Sequence, residues 1–146
     1  MKKLKINSKT TQKLNKKNIQ DLCNLKKQHW KFNLQEQMKW FKKNAKLLDE
    51  HVLIYSKKIL VGYVHLGLRS YFKKNTKFKY VLFRNLIVDR KHRKKNISFL
   101  IMQKANEYIK KKKKTGFLIC KKKMCKFYKK FGWKVILKKD FKLKDH

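Results

Sequence analysis

No window of this sequence approaches the roughly 18 apolar residues that a membrane-spanning helix requires, and the opening Met-Lys-Lys-Leu-Lys-Ile-Asn-Ser never reaches an apolar signal core. A soluble, cytoplasmic protein without a membrane span is the expectation. Cysteine is scarce as well. Cys23, Cys120 and Cys125 are odd in number and form no paired framework, and the C-x4-C spacing of the last two matches no common zinc pattern. A reduced chain with no bound metal is the simplest reading. Proline is absent, where average usage is about 5%. Acidic side chains number only 8 against 44 lysines and arginines, which leaves a formal net charge of +36.

That charge has two readings. A field this positive attracts phosphate through counterion release, so a nucleic acid is one conceivable partner. Alternatively, a lysine-rich chain whose only arginines are Arg69, Arg84, Arg90 and Arg93, with no proline and four glycines, is what an AT-rich genome tends to write. The shortage of acids does not follow from such codon usage. No recognised nucleic-acid motif is present, and the aromatics follow core periodicity without forming a stacking platform, so nucleic acid is the less favoured reading.

What the sequence does contain is material for one core. Its 146 residues suit a single domain over 1–146, with no room for a second. At 42% hydrophobic and 13% aromatic, the composition offsets the backbone entropy lost on folding. Residues 1 to 12 are polar and read as a frayed start, with Leu4 and Ile6 forming at most a short edge strand. Ile19, Leu22, Cys23 and Leu25 recur at helical spacing behind a cap at Asn18, and this helix ends near Trp30. Asn33 caps a second helix carrying Leu34, Met38, Phe41 and Ala45.

His51 to Ile54 and Ile59 to Leu66 read as a β-hairpin turning at Ser56-Lys57-Lys58, with Gly62 marking a bulge or a close backbone approach. Arg69 to Lys79 reads mostly as loop. Tyr80 to Val88 is a strand, and a helix from Ile97 to about Lys111 follows the polar Asp89 to Lys95. Phe117 to Cys120 is a short strand, Met124 to Phe131 a short helix closed by Gly132, and Trp133 to Leu137 another strand, with Phe141 and Leu143 as a last edge. A strand feeding a helix and then a neighbouring strand is a βαβ unit, so an α/β fold with a mixed sheet follows.

The chemistry concentrates where the strand ending at Val88 passes through Asp89-Arg90-Lys91-His92-Arg93-Lys94-Lys95-Asn96 into a helix. The first amides of that helix lack partners and carry the positive end of its dipole, which makes an anion site. Arg93, Lys94 and Lys95 add charge there. Asn96 tolerates the left-handed backbone of a sharp turn, and Ser98 is small enough for close approach. An ordinary polar loop in a lysine-rich protein is the competing reading.

This loop resembles the acyl-CoA-binding motif of the GNAT superfamily of N-acetyltransferases, (Arg/Gln)-x-x-Gly-x-(Gly/Ala), with Arg93 in the first position, Asn96 for the first Gly and Ser98 for the second small residue. Ile59-Leu60-Val61-Gly62-Tyr63-Val64 resembles the superfamily's third-strand segment. Phe127-Tyr128-Lys129-Lys130-Phe131-Gly132-Trp133 resembles its closing motif. The resemblance covers about residues 13 to 138 and implies a GNAT-like fold, a central twisted mixed sheet flanked by helices. It implies acetyl-CoA as acyl donor, with the backbone of Ile87 and Val88 along the pantetheine arm and the amides of Arg93, Lys94, Lys95, Asn96, Ile97 and Ser98 around the pyrophosphate.

Tyr128 matches the superfamily's proton donor to the departing thiolate, and a phenol is a competent acid for that task. The strand position where a glutamate base often stands holds Arg84 and Asn85, and Lys121 stands where an asparagine is common. His65 on the preceding strand is the substitute base. Trp30 and Trp40, in the two-helix region, are the substrate-binding candidates, because aromatic walls suit a small polar ring such as an amino sugar. The expected reaction is direct transfer of an acetyl group to a primary amine of a small molecule, by a monomer or homodimer. A nucleic-acid- or ribosome-associated protein, and a catalytically silent acyl-CoA binder of the same fold, are the alternatives.

Overall fold

The computed structural model describes residues 3–93 and 96–136. Two reciprocal capping boxes set its first helices. Asn15 Oδ1 accepts the Asn18 amide at 2.7 Å while Asn18 Oδ1 accepts the Asn15 amide at 3.2 Å, which starts α1 at Lys16–Lys26. The cap therefore lies at Asn15, and Asn18 is its partner three residues on, because a polar pair outside the apolar stripe decides where the helix begins. Asn33 and Glu36 repeat the arrangement and start α2, Leu34–Asn44, where the sequence reading placed it.

The strands are β1 Leu4–Thr10, β2 Glu50–Ser56, β3 Ile59–Lys73, β4 Thr76–Val88 and β5 Thr115–Phe117. They lie in that order in one sheet, with the first three pairings antiparallel and β4 parallel to β5. Between β4 and β5 runs α3, Ile97–Lys112, which completes the βαβ unit and the mixed sheet expected from sequence. A short helix, α4 at Cys125–Lys129, precedes Gly132, whose φ of +88° closes this segment.

Three expectations are corrected. The N-terminal segment is not frayed: β1 pairs with β2 from Leu4 opposite Ser56 to Thr10 opposite Glu50, because the open edge of β2 supplies backbone partners that a polar strand can use. Arg69 to Lys79 is not a loop. β3 and β4 continue as a long hairpin around Lys74 and Asn75, both at positive φ (49° and 67°), with Tyr71 stacked on Phe78 directly opposite it at 5.2 Å. Lys73, Lys74, Lys77 and Lys79 break up the alternation that would mark a strand. Residues 133–136 form no strand; Leu137, Phe141 and Leu143 lie outside the described residues.

Alternation along β2 and β3 divides the apolar residues between two cores. Val52, Ile54, Val64 and Leu66 meet Ile97, Ile101 and Met102 of α3. Leu53, Tyr55 and Tyr63 meet Leu22, Leu25 and Phe41 of α1 and α2. Gly62 lets α3 approach β3: a Cβ there would lie 2.7 Å from Ile97 Cγ2 and 2.9 Å from Ile101 Cδ1. β3 bulges beside it, since Gly62 faces Ile54 and Leu60 faces Tyr55, leaving Val61 extra. β4 bulges at Asn85, where Ile87 faces Tyr63 but Arg84 already faces His65, and Asn85 takes a φ of +61°.

A polar network is buried among β2, β3 and the approach to β2. His65 Nε2 meets Asp49 Oδ2 at 2.8 Å, and both Arg69 terminal nitrogens donate to the two Asp49 oxygens at 2.8 Å. His51 joins Thr11 Oγ1 at 2.7 Å and Tyr63 Oη at 2.6 Å. Burial resists ionisation of Asp49, but the bonds from Arg69 and His65 outweigh it and hold the carboxyl well below its usual range. Burial pushes His51 down to about 3 and lowers His65 as well.

Both histidines are therefore neutral in the folded chain but take up protons in the unfolded chain below about pH 6.5. The unfolded state binds more protons in that window, so stability is full above it and is lost as pH falls toward the folded values. Urea unfolding between pH 7 and 4.5 is expected to show a decline to which His51 contributes a slope approaching about 1.4 kcal/mol per pH unit below pH 6.5, a share that disappears in His51→Gln. Gly62→Ala is expected to cost about 1–3 kcal/mol in the same assay, since α3 must shift off β3 to admit the methyl group.

Candidate active site

β4 and β5 run side by side only from Tyr80 opposite Thr115 to Leu82 opposite Phe117. From Phe83 onward β4 has no strand partner on that edge among the described residues, while β3 holds its other edge as far as Val88 opposite Gly62. The strands part there, opening a gap beside β4 at the carboxyl end of a parallel pair, the place where open α/β sheets receive ligands. Ile87 is 1% exposed in one core and Val88 packs on the other, so both commit their side chains and leave the backbone to a ligand.

At the end of this gap the chain enters α3. Asn96 adopts the left-handed conformation anticipated for it, φ 59° and ψ 19°, and makes no side-chain cap. The first intrahelical bond is Leu100 N–H to Asn96 O at 3.2 Å, so the amides of Ile97, Ser98 and Phe99 precede it. Ile97 turns its side chain into the core against Gly62, Ser98 is half-buried, and Arg93 is exposed. Lys94 and Lys95 lie outside the described residues.

The loop is tied to the end of α1. Gln28 Nε2 donates to Asp89 Oδ1 at 2.6 Å, Gln28 Oε1 accepts the Arg90 amide at 3.1 Å, and Arg90 Nη2 donates to Gln28 O at 2.7 Å. His92 Nδ1 meets Asp89 Oδ2 at 2.6 Å. Arg93 Nη2 lies 3.1 Å from His29 Nε2; burial first, then the charges of Arg93 and Arg90, lower the His29 pKa, so its ring accepts this bond in the neutral form.

Tyr128 stands where the two strands part. Its ring meets Phe83, the first residue past the last β4–β5 pair, edge to face at 5.8 Å, and also touches Phe127 and Trp133. The residue is 9% exposed and lines a cavity beside β5 together with Cys120 and Cys125. Burial pushes its pKa up to about 12. Cys120 Sγ and Cys125 Sγ lie 4.0 Å apart nearby as free thiols. His65 is not brought to this place: it is 1% exposed and held by Asp49.

Across the bulge of β4, against α1 and α2, opens a cavity of about 510 Å³ that Trp30 and Trp40 wall. The structure thus unites the two tryptophans picked out in the sequence. It adds Lys26, Gln37 and Asn85, which sequence reasoning missed. Lys26 Nζ sits 3.9 Å from the centre of the Trp40 ring, and Arg84 covers the same ring at 5.2 Å while donating to Asn44 O at 3.0 Å. A signal for Lys26 was present: it follows Leu22 and Cys23 by four and three residues, so the helix turns it onto its buried face.

Comparison with known proteins agrees with this geometry. The acetyltransferase (GNAT) domain family matches residues 48–135. The fold is similar to that of an Acinetobacter haemolyticus aminoglycoside 6'-N-acetyltransferase (TM-score 0.70, 14% identity, 96% of this chain and 99% of that one covered). It is also similar to Arabidopsis thaliana glucosamine-6-phosphate N-acetyltransferase (TM-score 0.69, 13% identity, 97% and 98% covered). A predicted acetyltransferase from Clostridium acetobutylicum, solved with acetyl-CoA, gives a TM-score of 0.73 at 14% identity over 99% and 96% of the two chains. No curated protein matches at the level of sequence. With a mixed sheet that splits at β4 and β5, a helix N-terminus at the end of the split, and a family match over more than half its length, the chain belongs to the GNAT family of N-acetyltransferases.

Proposed function

We propose that this protein transfers an acetyl group from acetyl-CoA to the primary amine of a small molecule bound between α1, α2 and the bulge of β4. The observation that carries the reading is the release of β4 from β5 after Leu82, with Tyr128 against Phe83 at the fork and the uncapped start of α3 at its far end. The residues present fit the cofactor: free backbone groups on β4 suit the amides of a pantetheine arm, and unpaired helix amides behind a left-handed Asn96 suit a pyrophosphate. When bound, acetyl-CoA supplies an acetyl group activated as a thioester.

The protein's own groups would then act in sequence. The backbone of Ile87 and Val88 aligns the donor, while Arg93 and the amides of Asn96, Ile97 and Ser98 hold its phosphates, with Lys94 and Lys95 in the same loop. Trp30 and Trp40 position the acceptor. The cations of Lys26 and Arg84 beside the cavity disfavour a protonated amine there, which promotes the neutral, nucleophilic form without a carboxylate base on β4. His65, enclosed with Asp49, is left to stabilise the sheet. Tyr128 Oη keeps its proton at neutral pH because burial raises its pKa to about 12, and it is placed to deliver that proton to the departing sulfur. The relatives that acetylate aminoglycosides and glucosamine 6-phosphate support an amino sugar as the acceptor class.

Calorimetric titration with acetyl-CoA is expected to give saturable binding that Arg93→Glu weakens by about tenfold or more, the scale of a lost charge-assisted contact. Binding equal to wild type would remove Arg93 from the site. Tyr128→Phe is expected to lower kcat by about 100-fold, as loss of a general acid does, with acetyl-CoA affinity nearly unchanged. An unchanged kcat in free-thiol assays would reassign the proton donor.

A further inference from the structure

The cavity between α1, α2 and β4 contains a cation that nothing in the protein neutralises. Lys26 is 3% exposed, yet no ion pair links it to a carboxylate among the described residues. Buried ammonium groups are normally paired, because desolvation penalises the charge. Here the compensation among the described residues is the face of Trp40 at 3.9 Å, with Trp30 at 6.0 Å. Burial is the main reason its pKa falls to about 8, and Arg84 adds to the effect.

One acid, Glu36, lines the cavity and gives one oxygen to the Asn33 amide in the capping box of α2; its charge is outnumbered at the wall by Lys26, Lys39 and Lys43. Two amide nitrogens at the wall have no acceptor among the described residues. Gln37 is 3% exposed, and its Nε2 has no partner; Asn85 Nδ2, at the bulge, has none either. An ammonium and two amide N–H groups without partners among the described residues, in a wall where three lysines outnumber one carboxylate, complement the oxygens of an anion. A ligand filling the cavity reaches from Lys26 to the β4 bulge, since both line it.

Resting on the acetyl transfer proposed above, the geometry points to an acceptor that carries a phosphate or carboxylate as well as its amine, with Lys26 binding the anionic group and Gln37 and Asn85 completing its hydrogen bonds. Trp30 and Trp40 would flank the carbon skeleton between the two charged ends. This assigns the acceptor a zwitterionic class, which the aromatic walls alone do not specify. A protein of net charge +36 attracts anions over its whole surface, so the test must separate a buried contact from a surface field.

The experiment uses the full chain loaded with CoA, in ~0.5 M salt, where exposed charges are screened beyond a few Å. Quenching of tryptophan fluorescence reports binding of two matched pairs: glucosamine 6-phosphate against glucosamine, and β-alanine against β-alaninamide. The expected result is a preference of about tenfold or more for the anionic member of at least one pair, the pair identifying phosphate or carboxylate. Lys26→Met, which keeps the stem against Trp40, should abolish that preference. Lys58→Met, at the exposed turn between β2 and β3, should retain it. Equal binding of charged and neutral members, absence of binding by both anionic probes, or a preference that survives Lys26→Met would overturn the assignment. Calorimetry of the same proteins with acetyl-CoA separates the two readings: loss of acetyl-CoA binding refutes acetyl transfer itself, whereas intact binding without an anion preference refutes only the role of Lys26.

Discussion

From Thr76 to Val88, β4 is hydrogen-bonded to β3, yet β5 accompanies it for only three residues, and the backbone groups of Phe83 to Val88 on that edge must find partners elsewhere. Buried or half-buried backbone groups rarely go unpaired, so this unequal pairing creates a demand for an extended ligand. Other features serve to maintain it. The Asn85 bulge bends β4, the α3 N-terminus is brought to the end of the split, and Tyr128 wedges against Phe83 at the fork.

The position of α3 depends in turn on Gly62. Because no side chain intervenes, Ile97 and Ile101 reach the backbone of β3, and the same contact that fills the core fixes where the helix begins. Core packing and the start of the helix share a residue, Ile97, whose side chain faces inward while its amide precedes the first helical bond. This explains why a binding loop so poor in glycine can retain its shape: Asn96 supplies the left-handed turn, and the packing of the next residue holds it there.

The α2 cap, the βαβ unit, the close approach at Gly62 and the turn at Asn96 were legible in the sequence, each from a local rule of spacing or backbone geometry. The rest was hidden for identifiable reasons. β1 is polar because an edge strand is secured by backbone bonds, which leave no hydrophobic signature. The long β3–β4 hairpin is masked because its outer half is exposed on both strands, so lysines interrupt the apolar alternation that burial would impose. His65 could be read as a base only so long as its partner was unknown; Asp49, sixteen residues earlier, is joined to it by the sheet and by no local pattern. Lys26 was lost in a composition where lysine marks nothing, although its helical phase distinguished it from the others.

Gln28 gives the molecule a property that neither ligand site has alone. Its side chain holds Asp89 and the Arg90 amide, at the root of the anion-binding loop, while Lys26 and Trp30 on either side of it wall the second cavity. Residues 26 to 30 thus form one short segment with a side on each of the two places, so the backbone that shapes the cavity also anchors the loop before α3.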